Sequence, residues 1–160
     1  MKTFAACLIL TTSLLSLPNQ VKAQTSGIDF SQTNNTVTIN TISTSNPNVL
    51  RTVTIRCPDN GFLVATANTK FQYSAGPNFA GTIAYSISKN STAFDPNHQH
   101  NLFGNFVNNL TTVPASIQRV DECEAGKTIT YRFVATQGTN VFNVSASQPN
   151  LVVLFFRNRL

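Results

Sequence analysis

The sequence predicts an all-β domain built as a sandwich or barrel, and three observations predict it. Short runs alternate apolar and polar residues with period two, turn signals recur between them, and no stretch carries a capped 3.6-residue periodicity. The 160 residues amount to one domain, and a 41% hydrophobic fraction is enough for a packed core. Charged residues make up only 11%, with two His and six acids, which disfavours a histidine-rich metal site, a coiled coil or a charge-rich nucleic-acid binder.

The first segment reads as an address. Lys2 gives a positive start, residues 4–17 form an apolar stretch, and Val21-Lys22-Ala23 matches a signal-peptidase site. A signal peptide over 1–23 is expected, followed by a single domain over 24–160. The apolar run is short against the roughly 20 residues of a membrane span, and Pro18, Asn19 and Gln20 end it. Cys7 lies deep in the apolar region, which argues against lipoprotein cleavage. The mature chain is therefore expected to be secreted, extracellular or periplasmic, with no transmembrane segment. Loss of Lys2 and Lys22 leaves nine basic residues against six acids, a net charge of +3. The cations are scattered and not interleaved with aromatics, so nucleic acid is not an expected partner.

The strands follow in order. Alternation runs through Val37 and Ile39, then Val53-Thr54-Ile55-Arg56-Cys57, Ile83-Ala84-Tyr85-Ser86-Ile87 and Ile129-Thr130-Tyr131-Arg132-Phe133. Phe62-Leu63-Val64-Ala65 and Leu151-Val152-Val153-Leu154-Phe155-Phe156 are apolar on both faces, which suits central strands or strands whose outer face meets a partner. Turns are expected at Pro58-Asp59-Asn60-Gly61, Gly76-Pro77-Asn78, Glu124-Ala125-Gly126, Gln137-Gly138-Thr139-Asn140 and Gln148-Pro149-Asn150. Polar faces rich in Thr, Ser, Asn and Gln leave few charges to blunt the sheet edges, which favours dimers or trimers. Residues 91–113 form either a functional excursion or a connection hiding a short strand near 102–107.

Cys57 and Cys123 remain after export, and an even count in an oxidising compartment favours one disulfide over two free thiols. Three further constellations stand out. His98 and His100 are two apart, as in a strand-borne pair of metal ligands, with Asp95 close by as a third, although such a pair in a polar loop is far more often solvent-exposed than metal-bound. Glu122 and Glu124 flank Cys123, and the disulfide would draw Asp59 towards them, making a candidate acidic site for a cation or for sugar chemistry. Phe71, Tyr73, Phe79 and Phe94 are candidates for a stacking platform or for core. Asn34, Asn90, Asn109 and Asn143 begin glycosylation sequons. No nucleophile elbow and no phosphate loop occur.

Three segments resemble the family of complement globular heads and tumour-necrosis-factor-like domains, in its short, stalkless, secreted bacterial form. The first runs from Thr54 through Cys57-Pro58-Asp59-Asn60-Gly61 to Phe62. The second runs from Ile117-Gln118-Arg119-Val120 to Glu124-Ala125-Gly126-Lys127-Thr128, and the third is the terminal strand, residues 151–156. The resemblance implies a two-sheet antiparallel jelly roll of about ten strands, a homotrimer packed along an apolar face with the terminal strand near its axis, no catalysis and no cofactor. It also implies loops that bind an extracellular protein or glycan without saying which. The leading expectation is a non-enzymatic secreted module for binding or surface assembly. The alternative is a lectin-like or weakly hydrolytic protein using Asp59, Glu122 and Glu124.

Overall fold

In the computed structural model, residues 28–75, 80–105, 110–138 and 141–158 are described. The expected signal peptide, the turn at 76–78, Phe79 and Asn109 lie outside them. Nine strands occur among the described residues: β1 (Ile28–Gln32), β2 (Thr36–Thr38), β3 (Asn48–Arg56), β4 (Gly61–Ala75), β5 (Ala80–Lys89), β6 (Gln99–Asn105), β7 (Thr111–Cys123), β8 (Thr128–Gln137) and β9 (Val141–Arg157). The first sheet has the order β1-β9-β4-β7, with β2 also on β9, and the second has β3-β8-β5-β6. Every pairing is antiparallel. Two four-strand paths that exchange the chain in this order make a jelly roll, the architecture of two stacked Greek keys.

Period-two alternation places the core. Leu63, Ala65, Ala67 and Phe71 of β4, Ile117 of β7, and Leu151, Val153 and Phe155 of β9 face inward from the first sheet. Val53, Ile55, Ile83, Tyr85, Ile87, Ile129, Tyr131 and Phe133 face them from the second. Both runs that read as apolar on two faces are central: β4 lies between β7 and β9, and β9 lies between β1 and β4. Phe71 and Tyr73 are buried in this core, the rings of Phe71 and Tyr85 standing 5.6 Å apart. Phe94 is half-buried, where its N–H donates to the Thr44 carbonyl.

Two details depart from the sequence pattern. Gln148-Pro149-Asn150 is no turn between strands: it is a bulge inside β9, where the register on β4 shifts. Pro149 carries no N–H to spend on a ladder, so local chemistry reads as a turn while the flanking residues go on pairing. Residues 91–113 hold a 3-10 turn (Pro96–His98) and then β6, so the hidden strand is real and begins at Gln99. At the start of β4, a Cβ on Gly61 would lie 2.1 Å from the Phe156 carbonyl oxygen and 2.9 Å from the Phe155 ring. Close approach to β9 therefore requires glycine there.

Candidate functional site

The two turns at one end of the sandwich are fastened together. Cys57, just after β3, is bonded to Cys123, the last residue of β7, with Cα atoms 5.9 Å apart. Around the bridge, Gly126 N–H donates to the Cys57 carbonyl, Cys57 N–H to the Lys127 carbonyl, and Ala125 N–H to Asn60 Oδ1, all at 2.8–2.9 Å. This brings Asp59, Glu122 and Glu124 to the same end. Asp59 pairs with Arg157 at 3.0 Å and Glu124 with Lys127 at 2.6 Å. Glu122 stands across from Phe62 on the first sheet. Glu122 and Glu124 line two open hollows of about 400 and 220 Å³, and Asp59 lines neither. Two of the three carboxylates thus already hold basic partners, so any cation entering here competes with Lys127 or Arg157.

Asp95 and His98 stay together on the 3-10 turn, while His100 belongs to β6. Asp95 caps the 3-10 turn, accepting from Asn97 N–H at 3.0 Å, and its Oδ2 lies 3.4 Å from His98 Nδ1. His100 lies in β6, where its ring packs 5.8 Å from that of Tyr85. Among the described residues no three His, Cys, Asp or Glu side chains gather in a metal-binding group.

The densest polar construction was not legible as a site in the sequence. Arg119 of β7 is buried at an inward position, and its guanidinium holds both oxygens of Asp121, with Nε at 2.6 Å and Nη2 at 3.1 Å. Its Nη1 reaches Asp95 at 2.5 Å and the Ile87 carbonyl at 3.1 Å. Asp121 also accepts from Lys89 of β5 at 3.0 Å and from the Tyr131 hydroxyl of β8 at 2.9 Å. Burial by itself would raise the Asp121 carboxyl, but hydrogen bonds from Arg119, Lys89 and Tyr131 outweigh it and hold the group below its ordinary range. Burial works the same way on Asp95, and Arg119 and the Asn97 N–H again prevail. Burial, with Asp121 beside it, pushes the Tyr131 phenol upward. At neutral pH Asp95 and Asp121 stay ionised while Arg119 and Tyr131 keep their protons, and the cluster ties the two sheets and the 91–98 connection together. The available signal was the alternation of β7, which puts Arg119 and Asp121 in line with Ile117 rather than with the outward Gln118 and Val120.

The outer face of the first sheet is the other distinctive surface. Register aligns Ile28, Leu154, Val64 and Val120 in one row across β1, β9, β4 and β7. Phe30 and Val152 extend it on one side, Phe62 and Phe156 on the other. Ile28, Phe30 and Val120 are 61%, 65% and 55% exposed, so no other described residue covers them. Together with Phe62 and Phe156 they present on the order of 500 Å² of apolar surface, comparable with the largest patches on soluble monomers, which usually have a role.

Neither a protein family nor any curated protein matches this sequence. Among solved structures, the chain is similar to the Eiger TNF of S. frugiperda, with 12% identity, a TM-score of 0.36, and coverage of 83% of this chain and 93% of that one. It is also similar to a chain of the Israeli acute paralysis virus particle, at 12% identity and a TM-score of 0.27 over 96% of this chain and 83% of that one. A third likeness is to a chain of the Macrobrachium rosenbergii nodavirus particle from giant freshwater prawn, at 11% identity and a TM-score of 0.26 over 98% and 97%.

Proposed function

We propose that this chain is a secreted, non-enzymatic jelly-roll module for extracellular binding or surface assembly, working as a homotrimer, with an extracellular protein or glycan as its further partner. The observation that carries the reading is the apolar row on the outer face of the first sheet. It runs from one edge strand, β1, to the other, β7. In a closed ring of three, each copy would give the β1/β9 half of the row to one neighbour and the β4/β7 half to the other, a heterologous contact that closes. The composition agrees, since few charges are available to keep copies apart at exposed sheet surfaces. The non-enzymatic part is supported by the ion pairing of Asp59, Asp95, Asp121 and Glu124, each set on a cation. Secretion is supported by the leader pattern of residues 1–23 together with the disulfide.

The test is sedimentation equilibrium on residues 24–160, beside the Val64→Lys and Val120→Glu variants. The parent should sediment at three times the chain mass. The variants should fall to the single-chain mass while keeping the same sheet-rich circular dichroism. A parent that is monomeric at every concentration sampled would refute the assembly.

A further inference from the structure

The β9 bulge builds a small binding site that the assembly reading does not use. Asn150 faces Asn68 and Ser147 faces Lys70, so Gln148 and Pro149 together oppose the one residue Thr69. Gln148 sits at φ 49°, in the left-handed region that costs a non-glycine residue free energy and that recurs where a fold shapes a site. The distortion is held from two sides. The Thr69 hydroxyl donates to the Ser147 carbonyl at 2.8 Å, and Arg51 Nε reaches from β3 to the Pro149 carbonyl at 2.9 Å.

Beside the bulge lies an open hollow of about 500 Å³, lined by Asn68, Lys70, Pro114, Ser116 and Gln148 among others. That volume lies within the range of small-molecule sites and suits one or two sugar units. Lys70 is exposed and has no carboxylate partner among the described residues. The uncompensated Lys70 ammonium on the lining of the hollow favours an anion. Amide and hydroxyl side chains at the rim match a ligand rich in hydroxyls, and Pro114 offers an apolar surface to the C–H face of a ring. The hollow lies on the same outer face as the apolar row, just beyond its Phe30–Val152 end: Asn68 is two residues past Thr66, which pairs with Val152.

We propose that this hollow binds a carboxylated sugar unit of an acidic polysaccharide, with the carboxylate on the Lys70 ammonium and the ring hydroxyls on Asn68, Ser116 and Gln148. The proposal stands whether or not the chain assembles. Titration calorimetry on residues 24–160 would compare a galacturonic acid disaccharide with the neutral galactose disaccharide. The acidic probe should bind at least about tenfold more tightly, because a charge-assisted hydrogen bond is at stake. Lys70→Met should weaken it by about that factor, and Ser116→Trp, which fills the hollow from an exposed strand position, should abolish it with an unchanged melting curve. Equal binding of both probes, binding indifferent to Lys70→Met, or no heat with either probe would overturn the proposal. Displacement by inorganic phosphate at equal concentration would overturn its sugar part, by showing a site for simple anions.

Discussion

Replacing Arg119 with Met tests the account of what holds the two sheets together. The guanidinium is 7% exposed and makes four polar contacts to three groups: Asp121, Asp95 and the Ile87 carbonyl. Breaking a buried ion pair from one side typically costs about 3–5 kcal/mol, because a charge is left without its partner. Here the loss is softened. Asp121 keeps Lys89 and the Tyr131 hydroxyl, and Asp95 is 24% exposed and keeps the Asn97 N–H. A destabilisation of about 2–3 kcal/mol at neutral pH is therefore expected. Urea unfolding with the disulfide intact measures it, at pH 7 and again at successively lower pH. Both carboxyls are held below their ordinary range, so the unfolded chain takes up protons first as pH falls. Their stabilising contribution is complete above the unfolded carboxyl pKa of about 3.9 and disappears as pH falls through the lower folded values. The gap between parent and Arg119→Met should accordingly be widest at neutral pH and narrow below about pH 4. A variant as stable as the parent at pH 7, or a gap that does not change with pH, would refute the reasoning.

The other predictions rest on separate features. Gly61→Ala should destabilise the domain by about 2 kcal/mol or more, read as a lower urea midpoint, because the new methyl group meets the Phe156 carbonyl, which is backbone and cannot swing away. Replacing Cys57 and Cys123 together with Ala should cost roughly 4 kcal/mol from loop-closure entropy across their separation of 66 residues, and dithiothreitol should lower the parent's melting temperature but not the variant's. Val64→Lys should yield single chains in sedimentation, and Lys70→Met should weaken binding of the acidic disaccharide without changing the melting temperature.

The sheets were legible because burial in a sandwich is written in period two. Ile83, Tyr85 and Ile87, or Ile129, Tyr131 and Phe133, declare their inward face locally, and no distant residue is needed to interpret them. The turn at Asp59-Asn60-Gly61 and the partnership of Cys57 with Cys123 were legible for a similar reason, since turn chemistry and thiol count are properties of short stretches and of composition. The bulge at Gln148-Pro149 misled because the same residues that make a good turn also make a good interruption within a strand. Which occurs depends on whether the neighbouring strand continues, and β4 does.

The candidate acids show the limit more sharply. Asp59, Glu122 and Glu124 stand at the disulfide end of the sandwich, and there Asp59 answers to Arg157, nearly a hundred residues on. Asp95 looked like a partner for His98 and His100, and its strongest contact is Arg119 from the opposite sheet. The sequence alone determined an alternating, turn-rich, charge-poor chain that must bury one face of each strand, because that pattern is a local consequence of side-chain geometry. Only the tertiary structure decided which cation neutralises which acid, and which residues of β1, β4, β7 and β9 line up into one apolar row. Both depend on strand order and register, which are set by long-range packing and leave no mark on neighbouring residues.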